Sequence, residues 1–99
     1  MNVRMVRAKV KADHVTEVEA AVKSVFAALH EAQPQGIRYT SCRLPDGVTY
    51  VVLLEVDDGV DNPLPALPEF QAFQESLKNG VAEPPTAEQV TVVGSYRFF

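Results

Sequence analysis

The chain has 99 residues, of which 46% are apolar and 22% charged, so it makes one small globular domain and not a disordered tail. Its net charge of −4 disfavours general affinity for nucleic acid or an anionic membrane surface, both of which reward a basic face. A single cysteine, Cys42, excludes an internal disulfide and makes the cytoplasm the expected setting; no apolar run exceeds five residues, against ~20 for a membrane span.

From Val3 to Lys11 the residues alternate with period two and read as a first strand. Val6, Ala8 and Val10 share one face, and Arg7, Lys9 and Lys11 the other. The segment carries no hydrophobic block of the signal-peptide kind. Asp13 stands where a helix N-cap is expected. Val15, Val18, Val22, Val25, Phe26 and Leu29 then recur at three- and four-residue steps, which predicts an amphipathic helix over Val15–Gln33. Glu19 and Lys23 form an i,i+4 pair on its wet side, and Pro34 and Gly36 close it.

Ile37–Leu44 and Val48–Val56 flank Pro45-Asp46-Gly47, the composition of a type I turn with a glycine bulge. Setting Leu44 opposite Val48 places Tyr50 across from Cys42 and Leu53 across from Tyr39. Cys42, Tyr50, Val52 and Leu54 then share one face, while Tyr39, Ser41, Arg43, Val51, Leu53 and Glu55 share the other. Seven of the nine residues Val48–Val56 are apolar, which predicts a strand buried on both sides.

Asp57–Pro68 is irregular, with prolines at 63, 65 and 68 and with Leu64 and Leu67 expected to pin it to the body. Pro68 suits the first position of a second helix, with Glu69 near its positive end and Phe70, Phe73 and Leu77 as its buried stripe. Asn79-Gly80 ends it. After Pro84-Pro85, Val90–Phe99 reads as a last strand.

The order β-α-β-β-α-β predicts an α+β ferredoxin-like sandwich: a four-stranded antiparallel sheet with both helices on one face. The other face should then alternate polar residues, yet the predicted third strand is apolar on both parities. The last strand adds Val90, Val92, Tyr96 and Phe98 on one parity and Val93 and Phe99 on the other. A patch of that breadth predicts a homodimer packed sheet to sheet. Charge is divided too: residues 1–43 carry seven basic and four acidic side chains, and residues 44–99 two and nine, which favours pairing between the halves of the chain or between subunits.

In element order and spacing the chain resembles the antibiotic-biosynthesis-monooxygenase-like (ABM-like) dimeric α+β barrels. The local cues are the long first helix, the hairpin at Pro45-Asp46-Gly47, and the Phe70/Phe73 helix after an irregular loop. The resemblance implies a ligand cleft between sheet and helices. It also implies activities such as cofactor-free oxygenation of polyketide quinol-type substrates or haem degradation. The haem-degrading pattern does not carry over, because the chain has no tryptophan and Glu69–Asn79 has no histidine.

No motif names a chemistry. His14 and His30 sit about 24 Å apart at ~1.5 Å per helical residue and cannot share a metal in one subunit. Asp57, Asp58 and Asp61 lack the later bidentate glutamate of a calcium loop. Cys42 reads as a small buried hydrophobe without a histidine partner. Hydrolase, phosphate-loop and zinc signatures are absent from the sequence, so neither metal nor cofactor is expected and no catalytic residue is identified. The candidate ligand-binding residues are Arg7, Tyr39, Ser41, Tyr50, Glu55 and Tyr96, with Arg7 and Tyr39 as stabilisers of a substrate anion. Two functions fit: a cofactor-independent monooxygenase-like enzyme for an aromatic or polyketide-like compound, or a non-catalytic dimeric module that binds a ligand or only assembles.

Overall fold

The computed structural model describes residues 2–97. Four strands, β1 (Asn2–Lys9), β2 (Ile37–Arg43), β3 (Thr49–Val56) and β4 (Thr86–Val90), form one antiparallel sheet in the order β2-β3-β1-β4. Two helices, α1 (Val15–Ala32) and α2 (Pro68–Gly80), pack on one side of it. This is the ferredoxin-like arrangement expected from the element order.

Local chemistry explains most boundaries. Gln33 takes a left-handed conformation (φ 46°, ψ 55°) and donates its N–H to the Leu29 carbonyl, which ends α1 one residue before the expected limit. Pro68 opens α2, where its missing N–H costs nothing, and Glu69 lies in the first turn. The end of α2 is tied to the end of β1: Lys11 N–H donates to the Gly80 carbonyl and Ala82 N–H to the Lys9 carbonyl, both at 2.8 Å. Val10, Val18, Val25, Tyr50 and Phe73 form the buried core between the layers, and Val15, Val22, Leu29, Phe70 and Leu77 pack against it.

Several expectations need correction. The hairpin register differs by one residue: Tyr50 pairs with Arg43, Cys42 with Val51, and Tyr39 with Leu54. Asp46 is the cause. Its carboxylate accepts the N–H groups of Val48 (3.0 Å) and Thr49 (2.9 Å) and the Thr49 hydroxyl (2.6 Å), so Val48 belongs to the loop and pairing begins at Thr49. A slip of one residue exchanges the faces, so Tyr39 and Ser41 join Tyr50 on the helix side and Cys42 turns to the other. There Cys42 is exposed and not buried.

The last strand runs over Thr86–Val90, not Val90–Phe99. Val90 pairs with Val3, the second residue of β1, so only Asn2 of the described β1 backbone lies beyond it for residues 91–97 to pair with. Phe98 and Phe99 lie outside the described residues. Asp13 does not cap α1; it sits in a short 3₁₀ turn (Ala12–His14) with its Oδ1 2.9 Å from His14 Nδ1. Glu19 does not serve as the partner of Lys23, because its carboxylate is taken by Arg43 (2.8 Å) and the Tyr50 hydroxyl (2.9 Å) across the layer.

No residue of β3 is exposed, but only Thr49, Tyr50 and Glu55 are buried and the other five are half-buried, short of the burial on both sides that its composition predicted. On the face away from the helices, Val3 and Glu55 are buried and Met5, Val51, Leu53 and Val90 are half-buried, while Arg7 and Lys9 are exposed. No helix is long and apolar enough to cross a membrane among the described residues.

Candidate functional site

A cavity of about 380 Å³ lies between the helix-facing side of the sheet and the two helices. Strand alternation decides its floor. β1 supplies Arg4, Val6 and Ala8, β2 supplies Tyr39 and Ser41, and β3 supplies Tyr50, Val52 and Leu54. Val18 and Val22 of α1 and Phe70, Phe73, Gln74 and Leu77 of α2 form the roof. The loop before α2 closes one side with Asn62, Leu64 and Pro65.

That loop is held by its own hydrogen bonds. Asn62 Oδ1 accepts the Leu64 N–H at 3.1 Å, which seats the fully buried Leu64 against the cavity. Gln71 Nε2 donates to the Pro65 carbonyl at 2.8 Å and fastens the loop to α2. With its oxygen engaged, Asn62 presents its carboxamide N–H groups as donors.

Tyr39 stands on the floor with its ring stacked on Phe26, centroids 5.2 Å apart and planes inclined by 20°. Burial pushes its hydroxyl up to about 12, so it stays a neutral donor. Neither its hydroxyl nor that of Ser41 makes a hydrogen bond among the described residues. Tyr50 differs. Its ring forms part of the floor, but its hydroxyl already donates to Glu19, and burial first and this bond second raise its pKa.

Charge on the cavity wall comes from Arg4 alone among the described residues; no carboxylate and no imidazole lines it. Arg38 is bound to Glu55 (2.6 Å) and Asp57 (3.2 Å), and Arg43 to Glu19 (2.8 Å). Arg4 has no such carboxylate partner among the described residues. No group of three His, Cys, Asp or Glu side chains placed to hold a metal ion occurs among them either.

Of the six sequence-derived candidates, the fold gathers Tyr39, Ser41 and Tyr50 on the cavity floor. Arg7 lies exposed on the opposite face of β1. Glu55 is on that same opposite face, 4% exposed under Arg38. Tyr96 lies beyond β4, 82% exposed, beside a shallow concavity formed with Val3, Leu53 and Val90. Arg4, Asn62 and Gln74 were not among the candidates. Parity carried the signal for Arg4, which shares its face with Val6, Ala8 and Val10; nothing local marked Asn62 or Gln74.

No family model matches the chain, and no curated protein matches it in sequence. Solved structures do match in three dimensions. The cofactor-independent oxygenase SnoaB from Streptomyces nogalater is 22% identical, with a TM-score of 0.67 and 97% of each chain covered. A protein from Nitrosomonas europaea, provisionally named an antibiotic biosynthesis monooxygenase, is 17% identical, with a TM-score of 0.73 over 95% of this chain and all of the other. Rv0793 from Mycobacterium tuberculosis is 11% identical, with a TM-score of 0.74 over 95% of this chain and 96% of the other. At these identities the likeness is one of fold, and the fold is the ABM-like one that the sequence resemblance implied.

Proposed function

We propose that this chain is a cofactor-independent monooxygenase-like enzyme that oxidises an aromatic or polyketide-like small molecule in the helix–sheet cavity. One observation carries the reading: a mostly apolar cavity holds hydroxyl and amide groups that no protein group satisfies. Such a space suits a flat organic ligand fixed by a few hydrogen bonds. The ABM-like fold, shared with an oxygenase that is itself described as cofactor-independent, supports the same reaction class.

The chemistry needs only dioxygen as co-reactant. A substrate with an acidic CH2 releases a proton to solvent water to give a delocalised carbanion, which transfers one electron to dioxygen. The resulting radical pair joins to form a C–O bond, and loss of water from the hydroperoxide leaves a carbonyl. One oxygen atom ends in the product and the other in water, and all the electrons come from the substrate. Tyr39, Ser41 and Asn62 would donate hydrogen bonds to the enolate oxygen, where the negative charge collects. An oxygen electrode tests this with anthrone-type substrates: uptake above the spontaneous rate is expected, and uptake that the protein leaves unchanged overturns it.

The second reading, a non-catalytic dimeric binding module, is favoured by one feature: no carboxylate or imidazole lines the cavity to take a proton. Binding of an aromatic ligand without oxygen uptake would decide for it.

Under either reading the working unit is a homodimer joined through the outer sheet face, in a cytoplasmic setting consistent with one free cysteine. Support comes from half-buried Met5, Val51, Leu53 and Val90 on that face, and from Val93 and Tyr96, 99% and 82% exposed beside it. Sedimentation equilibrium at micromolar concentration should give twice the 10.9 kDa chain mass, and Leu53→Glu should halve it. A wild-type species of 10.9 kDa overturns the dimer.

A further inference from the structure

We propose that the cavity selects a flat, mainly apolar organic anion, a carboxylate or an ionised enol, and that Arg4 is the residue that reads its charge. The proposal rests on the cavity being the ligand site and adds the class of molecule that enters it.

The sheet register brings the relevant groups together. Arg4 pairs with Leu54, and Leu54 pairs with Tyr39, so the three form one cross-strand row on the cavity floor. With strands ~4.8 Å apart, Arg4 and Tyr39 stand about 10 Å apart at the backbone with the apolar Leu54 between them. A planar ring resting on Leu54 is therefore bracketed by a guanidinium on one side and a neutral phenol on the other. Both can donate to an oxyanion, and a guanidinium matches its two lone-pair directions in a fork.

Electrostatics point the same way. Arg38 and Arg43 are each neutralised by carboxylates, but Arg4 keeps its charge free of such a partner among the described residues. No carboxylate on the wall repels an incoming anion or competes with it for Arg4. The apolar walls lower the local dielectric, which strengthens a charge pair formed there. Because no wall group can take a proton from the ligand, the ligand must be acidic enough to ionise under the field of Arg4 or arrive already ionised. Arg4 is also exposed, so it lies where the cavity opens and meets an entering anion first. A volume of about 380 Å³ is small for a binding pocket, which fits a ligand of two or three fused rings.

The test compares two probes of nearly equal shape, 2-naphthoate and its neutral amide 2-naphthamide, by titration calorimetry on the wild type, Arg4→Gln and Arg4→Lys. Wild type should bind naphthoate at least about tenfold more tightly than the amide, the low end for a charge-assisted hydrogen bond. Arg4→Gln should abolish that gap by weakening naphthoate binding far more than amide binding, and Arg4→Lys should keep part of it. Unchanged circular dichroism confirms folding of each variant. Equal binding of both probes by wild type, a gap that survives Arg4→Gln, or no saturable naphthoate binding overturns the proposal. The readout is independent of turnover. Anion-selective binding without oxygen uptake would defeat the oxygenase reading alone, and oxygen uptake indifferent to Arg4 and to ligand charge would defeat this proposal alone.

Discussion

Phe26 of α1 lies stacked on Tyr39 of β2, with ring centroids 5.2 Å apart and planes inclined by 20°. The contact joins a helix to the cavity floor and covers one face of the half-buried phenol, while its hydroxyl has no partner among the described residues. A donor held this way costs the enzyme little reorganisation when charge develops beside it. Tyr39→Phe should therefore lower oxygenase turnover by roughly 10²-fold, the usual loss for one donor at an oxyanion. Since that hydroxyl has no internal bond to lose, neutral-pH stability should change by less than about 1 kcal/mol.

The same residue makes a pH prediction. Its pKa is raised to about 12, above the ~10 of an unfolded tyrosine, so folding favours the protonated form. Its contribution is thus complete below about pH 10 and lost as pH rises towards 12. Urea midpoints measured at about pH 8 and about pH 11 should fall more steeply for the wild type than for Tyr39→Phe. Equal slopes would show that burial does not hold the phenol neutral.

Gly36 precedes β2 with φ +81°, and a Cβ built there would lie 2.8 Å from Val60 Cγ2 and 3.0 Å from Cγ1. Its carbonyl also accepts the Asp57 N–H at 2.8 Å, which ties the start of β2 to the end of β3. Gly36→Ala should destabilise by about 2 kcal/mol, from left-handed strain together with the side-chain clash. Val60→Ala removes both methyl groups and leaves the backbone strain. The double variant should recover part of the loss in a denaturation cycle, and strict additivity would show that the clash is relieved without cost.

Asp46 organises the β2–β3 hairpin. The Thr49 hydroxyl above all, then the amides of Val48 and Thr49, hold its carboxyl below the usual carboxylate range. A depressed carboxyl stabilises the fold above its unfolded pKa of about 4, and that stability fades as pH falls through the lower folded value. Asp46→Asn should lower the urea midpoint at neutral pH and flatten the acid limb below about pH 4. An acid limb of unchanged slope in the variant would mean that other carboxylates carry it.

The hairpin also marks where a sequence stops being legible. Leu44 opposite Val48 and Leu44 opposite Thr49 are both compatible with Pro45-Asp46-Gly47, and the apolar pattern of β3 does not choose, because both of its parities are apolar. The choice lies in three hydrogen bonds to one carboxylate. They decide that Tyr39 and Ser41 face the cavity beside Tyr50, and that Arg38 stands directly opposite Glu55 on the outer face.

Periodicity within a single element is local, and it was enough for the order of strands and helices, the stripe of α1, the entry of α2 at Pro68 and the two faces of β1. Position between elements is not local. Whether Arg4 or Arg7 meets the cavity depends on which face of β1 the helices cover, and β4 stops at Val90, opposite Val3, within one residue of the start of its partner β1. The sequence by itself determined an ABM-like α+β fold with an apolar interior. Only the tertiary structure decided which polar groups stand unpaired inside it, because a hydrogen bond between distant residues leaves no period in the chain.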